Sequence, residues 1–153
     1  MPSLKSCLSC PSCKHRLNDS GFELTCLNCS KVFPVVGAIP RFVPKENYAE
    51  SFGLQWNRFA STQIDSKVGT DRSEIRFREE TLWGERDLTG KLVLDAGCGS
   101  GRFSEIALKL GASLIAVDYS SAVEASRQNL TAPDKLIVQG DLAALPMLDQ
   151  TFD

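Results

Sequence analysis

A short apolar segment leads into a glycine-rich turn in residues 91–102, which read Lys91-Leu-Val-Leu-Asp95-Ala-Gly97-Cys-Gly99-Ser-Gly101-Arg102. Glycines let the backbone turn sharply, and they let a ligand approach without a Cβ in the way. A helix is predicted from Arg102 to Leu110, where Gly111 closes it, and its first amides can bind a carboxylate. The pattern of strand, glycine turn and helix therefore predicts a nucleotide-like binding site.

Two more apolar segments continue this pattern towards the C-terminus. Strands are predicted at 113–118 and at 135–139. The helix between them is expected to begin at a capping box formed by Ser121 and Glu124 and to end near Leu130. Alternating strands and helices with nearly continuous apolar strands imply right-handed parallel crossovers, so the fold class is α/β with a doubly wound sheet.

The segment 45–90, which precedes the first of these strands, is predicted to be helical. Four aromatic residues have the spacing of one helix face: Tyr48, Phe52, Trp56 and Phe59. A second helix is predicted to start at a capping box of Asp71 and Glu74 and to reach Gly84.

Five of the six cysteines lie in the first thirty residues, and two Cys-x-x-Cys units, Cys10 to Cys13 and Cys26 to Cys29, are separated by 12 residues. Each tight turn aims two thiolates at one point, and a hairpin brings the two turns opposite each other. Four thiolates in a tetrahedron favour a structural zinc ion, since no coordination position stays open. Redox dithiols or unliganded cysteines are the alternatives.

The zinc ligands predicted are Cys10, Cys13, Cys26 and Cys29. Cys7 forms a third Cys-x-x-Cys unit with Cys10, but Pro11 favours the turn from Cys10 to Cys13, so Cys7 is expected to be spare. His15 is expected to be an exposed turn residue. Few aliphatic residues precede Phe42, and metal binding is expected to supply the folding energy of a zinc ribbon with an exit linker at 1–44.

Length and charge exclude several classes of protein. The chain has 153 residues, is 42% hydrophobic and 24% charged, and has a formal net charge of −2. Neither DNA nor an anionic membrane surface is expected as a partner on this balance. No apolar run approaches the ~20 residues that span a bilayer, and the N-terminus lacks the apolar region of a signal peptide. A cytoplasmic location is therefore expected.

Acidic residues accompany all three predicted strands. Asp95 and Asp118 end the first two, and Gly140-Asp141-Leu142 follows the third. The dinucleotide-binding fingerprint needs a small residue at position 102, which is Arg here. Residues 91–153 resemble the class I S-adenosylmethionine-dependent methyltransferases, and the glycine turn looks like their motif I.

The resemblance implies S-adenosylmethionine as cofactor and methyl transfer to an unidentified acceptor, with the catalytic residues unknown. The glycine turn would lie against the methionine end, and Asp118 would accept hydrogen bonds from both ribose hydroxyls. Asp141 would accept a hydrogen bond from the adenine amino group, and the Leu142 backbone would contact a ring nitrogen. The implied cofactor-binding residues are Asp95, Gly97, Cys98, Gly99, Gly101, Asp118, Tyr119, Asp141 and Leu142.

Simpler interpretations of these residues remain open. Asp118 and Asp141 have the chemistry of ordinary turn or capping residues. Cys98 is expected to be a small packing residue, with a reactive thiol as the alternative.

Two further segments carry a resemblance. Residues 10–17 and 29–43 are similar to zinc-ribbon modules found at the N-terminus of some bacterial methyltransferases and to the small activator protein of transfer-RNA methyltransferases. Residues 51–59 resemble a segment that precedes the fold in relatives with a ribbon. Trp56 and Phe59 are hypothesised to form a lid over the cofactor, and the alternative is that they pack their helix on the sheet.

Phe152-Asp153 resembles the opening of the family's next motif, on a fourth strand. A cofactor domain of this family usually takes well over ~100 residues, so 91–153 is expected to be its N-terminal half and the chain a fragment of a longer enzyme. Residues 1–153 alone are then expected to bind the cofactor weakly and to be inactive.

A non-enzymatic protein is the alternative function. It would be a zinc-ribbon module that binds protein or RNA, attached to a degenerate Rossmann-like domain. Four basic residues of the ribbon favour such a partner, although a solvent-exposed face explains them equally. They are Lys14, Arg16, Lys31 and Arg41.

Overall fold

The computed structural model describes residues 3–44, 49–83 and 87–153, and for residues 50–52 the helical backbone alone. The described residues form a four-stranded antiparallel sheet and a three-stranded parallel sheet. The antiparallel sheet contains β1 (Leu17–Asp19), β2 (Glu23–Cys26), β3 (Val32–Val36) and β4 (Ile39–Pro40), in that order. Its first hairpin carries the two Cys-x-x-Cys units.

Three helices lie between the two sheets in the chain: α1 (Glu50–Arg58), α2 (Asp65–Val68) and α3 (Arg72–Thr81). The capping box predicted for α3 is wrong, since Asp71 makes no side-chain cap. The Asp65 carboxylate accepts hydrogen bonds from the backbone amides of Ser73 and Glu74, both at 2.9 Å. A carboxylate on the preceding short helix therefore takes the place of the local cap. The predicted extension of this helix to Gly84 is wrong, since α3 ends at Thr81 and Leu82 has φ 57°. Gly84 itself and Tyr48 lie outside the described residues.

The parallel sheet confirms the predicted alternation of strands and helices. Its order is β5 (Leu92–Ala96), β6 (Ser113–Asp118) and β7 (Lys135–Gln139), with α4 (Arg102–Lys109) and α5 (Val123–Asn129) in the two crossovers. The predicted capping box of α5 is wrong as well, because α5 begins without a side-chain cap. Ser120 Oγ instead accepts from the Ala122 amide at 3.2 Å, just before the helix.

The two faces of the parallel sheet contact different parts of the chain. Along β6, Leu114 and Ala116 belong to the core formed with the helices, and the alternating residues Ile115 and Val117 belong to a second core formed with the ribbon. Successive residues of a strand point to opposite faces, which explains this division. The ribbon residue Leu24 is buried in the second core. Both faces are covered, as nearly continuous apolar strands require.

Both edges of the parallel sheet are also contacted. The exit segment after β4 runs beside β7, where Arg41 forms a parallel bridge to Gln139 and the Phe42 amide donates to the Gln139 carbonyl at 2.8 Å. At the other edge, the Asp153 amide donates to the Leu92 carbonyl at 3.1 Å. The predicted start of a fourth strand therefore lies alongside β5.

None of the helices in the described parts of the chain is long and apolar enough to cross a membrane.

Candidate cofactor and metal sites

Four thiols meet at one end of the ribbon. The Sγ atoms of Cys10, Cys13, Cys26 and Cys29 all lie within 4.8 Å of one another. Cys10 and Cys29 are 3.6 Å apart, and Cys13 and Cys26 are 3.4 Å apart, measured between sulfurs. Zinc–sulfur bonds of about 2.3 Å place the sulfurs of a tetrahedron ~3.8 Å apart. The two measured pairs are within about 0.4 Å of this value, and the four thiols are a donor set that suits a zinc ion.

The two cysteine turns, here called knuckles, share one backbone geometry. Lys14 follows the first knuckle and Ser30 the second, and both have φ 59°. Their amides donate to the carbonyls of the first cysteine of each knuckle, at 2.8 Å for Lys14 and 3.1 Å for Ser30. The pKa of the Cys13 thiol is lowered to about 6, chiefly by the His15 backbone amide. A thiolate is the form that binds a metal ion.

Cys7 and His15 lie apart from this cluster. The Cys7 side chain packs against the core between ribbon and sheet, and its carbonyl accepts from the Leu148 amide at 2.9 Å. His15 is exposed, with Nδ1 2.9 Å from the Cys13 carbonyl oxygen. The four clustered thiols are those named from the sequence as zinc ligands, and that assignment stays a prediction.

The glycine turn joins β5 to α4 and is pinned to the end of β6. The Val117 carbonyl accepts from the amides of Gly97, at 2.7 Å, and Cys98, at 3.0 Å. Gly97 has φ 86°, and a Cβ placed on it would meet nothing within 4 Å. A Cβ on Gly101, at φ 91°, would lie 3.1 Å from atoms of Ser126 and Leu130. The space at Gly97 is therefore open to a ligand, whereas Gly101 allows α4 to approach α5.

Asp118 ends β6, as the sequence predicted, and lies beside this turn. Its carboxylate already accepts hydrogen bonds from neighbouring residues. Oδ2 accepts from the Gly99 amide at 2.9 Å, and Oδ1 accepts from the Ser120 amide at 2.8 Å and from its hydroxyl at 2.7 Å. A carboxylate has about four acceptor positions. Accepting two ribose hydroxyls therefore requires one of these bonds to be released.

Asp95 is half-buried behind the same turn. Its Oδ2 accepts from Ser104 Oγ at 2.5 Å. Burial raises the pKa of the Asp95 carboxyl, and the nearby negative charge of Asp118 raises it further. The two carboxyls at the strand ends therefore differ in that Asp118 accepts more side-chain hydrogen bonds than Asp95.

The third predicted acidic position follows β7. Asp141 Oδ1 accepts from the Ala143 amide at 2.8 Å and caps a short 3₁₀ turn, Leu142–Ala144. The side chain of Leu142 is 46% exposed. Tyr119 and Asp141 line one surface cavity at the carboxyl edge of the sheet. The parallel topology therefore brings the ends of β6 and β7 to one place.

Cys98 is a packing residue in the structure. It is 6% exposed, and its Sγ lies 4.0 Å from Ser126 Oγ. Burial raises the pKa of the Cys98 thiol well above its usual value. A neutral buried thiol is a poor nucleophile, so the alternative of a reactive thiol loses its support.

The aromatic residues of α1 divide between two environments. Trp56 lies over the glycine turn, since a Cβ on Gly99 would be 3.6 Å from the indole ring. Phe59 is 51% exposed, with the Arg58 guanidinium 5.8 Å from its ring centre. Asn57 anchors the helix by donating to the Ser121 carbonyl at 3.0 Å. Trp56 therefore contacts the site, whereas Phe59 does not pack on the sheet.

The basic residues of the ribbon make contacts within the chain. Arg41 is paired with Glu124, donates to Gln139 Oε1 at 3.0 Å, and has a side chain only 12% exposed. Lys14 Nζ donates to the Leu145 carbonyl at 2.6 Å. Arg41 and Lys14, two of the four basic residues that favoured a protein or RNA partner, thus make contacts within the chain instead.

Comparison with known proteins connects this geometry to an enzyme family. Residues 94–153 match the family described as "Methyltransferase domain". The match covers the glycine turn and both later acidic turns. It supports the predicted dependence on S-adenosylmethionine.

The curated relatives that the chain matches are also named as methyltransferases. The chain is 42% identical to a malonyl-[acyl-carrier protein] O-methyltransferase of Yersinia pestis over 120 residues, which are 77% of this chain and 41% of the relative. It is 36% identical to a demethylmenaquinone methyltransferase of Thermobifida fusca over 89 residues, 52% of this chain and 36% of the relative. It is 56% identical to a ribosomal protein L11 methyltransferase of Shigella sonnei over 45 residues, 28% of this chain and 15% of the relative. The chain thus spans about two fifths, or less, of these relatives.

Several residues of the site had no signal in the sequence. Ser104 bonds Asp95, and Asn57 anchors α1 beside the turn. Pro11, Ser12 and Phe42 line the same cavity as Asp141, although they are far from it in the chain. Their roles depend on long-range packing, which no local motif encodes.

Proposed function

We propose that this chain carries the cofactor-binding half of a class I S-adenosylmethionine-dependent methyltransferase, built as a zinc ribbon with exit segment (1–44), a helical segment (45–90) and the first half of a doubly wound Rossmann-like sheet (91–153). One observation carries the proposal: the methyltransferase match at 94–153 coincides with the glycine turn and with the carboxyl ends of parallel strands. Ligands of open α/β sheets bind at this edge.

The residues present fit the cofactor. The open space at Gly97 would leave room for its methionine end, and the first amides of α4 would bind its carboxylate. Asp118 would accept from the ribose, and Asp141 and the Leu142 backbone would address the adenine. The other proposed contacts are Asp95, Cys98, Gly99, Gly101 and Tyr119.

The bound cofactor supplies an activated methyl group on a sulfonium. This chain's residues hold it in one orientation, so that an acceptor atom can attack in line with the bond that breaks. Trp56, over Gly99, excludes water from the turn as part of a lid. No residue of the described chain is assigned as a general base.

The methyl acceptor is a separate question. The three relatives are named for malonyl-[acyl-carrier protein], demethylmenaquinone and ribosomal protein L11, and all three are named as methyltransferases. Among these three, the malonyl-[acyl-carrier protein] O-methyltransferase matches the largest share of this chain, 77%, whereas the 56% identity to the ribosomal protein L11 methyltransferase covers only 28% of it. We therefore propose an acyl-carrier-protein carboxylate as the first acceptor to assay.

We propose a structural zinc ion bound by Cys10, Cys13, Cys26 and Cys29. Four thiolates that fill a tetrahedron leave no position for substrate. Thiols kept for metal binding require a reducing compartment, which is the basis for proposing a cytoplasmic location.

Calorimetric titration with S-adenosylmethionine, S-adenosylhomocysteine and NAD⁺ tests the cofactor assignment. Weak binding of the first two, as expected of half a cofactor domain, and no binding of NAD⁺ are expected. Asp118→Asn is expected to weaken that binding, and Asp134→Asn, at the opposite end of the sheet and exposed, serves as the matched control. Selective binding of NAD⁺ would identify an oxidoreductase instead.

A further inference from the structure

A cavity of about 210 Å³ lies between the first cysteine knuckle and the carboxyl edge of the parallel sheet. Pro11 and Ser12 of the knuckle and Phe42 of the exit segment line one side of it. Tyr119 and Asp141 line the other side, at the ends of β6 and β7. The ribbon and the proposed adenosine site thus share one cavity.

Backbone hydrogen bonds connect the residues just before the knuckle to the chain that follows the Asp141 turn. The Ser9 amide donates to the Pro146 carbonyl at 2.9 Å, and the Leu148 amide donates to the Cys7 carbonyl at 2.9 Å. These bonds involve the residues that lead directly into the first zinc ligand. The position of 145–148 therefore depends on how the knuckle is folded.

The same turn is held from its other end. The Phe42 amide donates to the Gln139 carbonyl at 2.8 Å, one residue before the turn begins at Gly140. Lys14 Nζ, next to the ligand Cys13, reaches the Leu145 carbonyl. Residues 140–144 are thus bracketed by ribbon contacts on both sides.

We infer that the first knuckle and the exit segment form a wall of the adenosine end of the cofactor site, so that metal in the ribbon governs cofactor affinity. This inference rests on the proposed function. The cavity has the chemistry of an adenine site, since Phe42 and Tyr119 offer aromatic surface and Asp141 offers an acceptor for an amino group. Because such knuckles need metal to fold, removal of the metal loosens this wall.

A pair of matched variants tests the wall. Ser12→Trp fills the cavity, and Asn28→Trp makes the same change at the equivalent place of the second knuckle, which does not line it. The affinities of the variants for S-adenosylhomocysteine and for adenosine are measured by calorimetry and compared at equal zinc content. The zinc content is determined with a colorimetric assay of the zinc that each protein releases. Ser12→Trp is expected to weaken both ligands at least about tenfold, and Asn28→Trp to leave both unchanged. Ser12→Gln, a smaller intrusion, is expected to weaken both by a lesser factor.

Metal removal provides a second measurement on the unmodified chain. Chelation is expected to reduce the affinity for adenosine, and added zinc to restore it. Full affinity in the chelated protein, or in zinc-loaded Ser12→Trp and Ser12→Gln, would overturn the inference while leaving the proposed function intact. An unmodified, zinc-loaded chain that binds neither ligand would contradict the proposed function itself.

Discussion

Alanine substitutions at Gly97 and Gly101 separate backbone strain from packing within one turn. The two glycines have nearly equal dihedral angles, φ 86° and φ 91°. A left-handed conformation costs an L-residue about 1–2 kcal/mol. Gly97→Ala is therefore expected to lower the free energy of unfolding by that amount alone, because its Cβ would enter open space.

Gly101→Ala carries the same strain and a steric term in addition. Its Cβ would lie 3.1 Å from Leu130 Cγ and from Ser126 Oγ, between α4 and α5. Overpacking a close contact costs about 1–3 kcal/mol. The total expected loss in the free energy of unfolding is thus about 2–5 kcal/mol.

Urea denaturation at a fixed free zinc concentration measures both variants. Equal destabilisation by the two alanines, or a larger effect at Gly97, would refute the reasoning from packing. A double-mutant cycle with Leu130→Ala provides a further check, since removing the obstructing side chain should recover about 0.5–3 kcal/mol of coupling in the Gly101→Ala background. Ligand titration should show the opposite order. Relative to the stability that each variant loses, Gly97→Ala should weaken the binding of S-adenosylhomocysteine more than Gly101→Ala does.

Three other predictions concern different parts of the chain. Asp65→Ala should cost about 1–2 kcal/mol by removing the cap of α3, with Asp71→Ala nearly neutral as the control. The amides of Glu74 and Ser73 lower the pKa of Asp65 against the opposing effect of burial. That stabilisation is therefore present above the unfolded pKa of about 3.9 and is lost as the pH falls through the lower folded value; a cost of Asp65→Ala that stays constant as the pH falls below about 3.9 would contradict it. Cys13→Ser should abolish stoichiometric zinc in metal analysis and Cys7→Ser should retain it, whereas zinc loss in both would reassign the ligands. Trp56→Ala should weaken S-adenosylmethionine severalfold with a small loss of stability, and a variant with unchanged fold and affinity would argue against both the lid and a packing role.

Local patterns were sufficient where the structure depends on local physics. β6 and β7 cover the residues expected from their apolar runs, and the spacing of the cysteines brought four sulfurs together. Both predicted capping boxes were wrong, because a cap depends on which oxygen is nearest in space. At α3 that oxygen belongs to Asp65, eight residues before Ser73 and on another helix.

Local sequence patterns did not predict the packing between distant segments. Arg41 was interpreted as part of a basic ribbon face, yet it pairs with Glu124 and lies nearly buried. The exit segment is predicted from the sequence as a linker, but its pairing with β7 required a partner edge that only the folded sheet provides. The ribbon's place on the face of β6 and β7 likewise had no local signal.

The sequence by itself determined the parallel α/β class, the glycine turn, the order of its acidic neighbours and the four candidate zinc ligands, because each depends on spacing along the chain. Only the tertiary structure decided that Asp118 is already engaged by the turn, that Trp56 covers Gly99, and that the first knuckle shares a cavity with Asp141. These contacts join residues up to 130 positions apart, from Pro11 to Asp141. Such pairs meet only after the apolar faces of ribbon and sheet have been buried together.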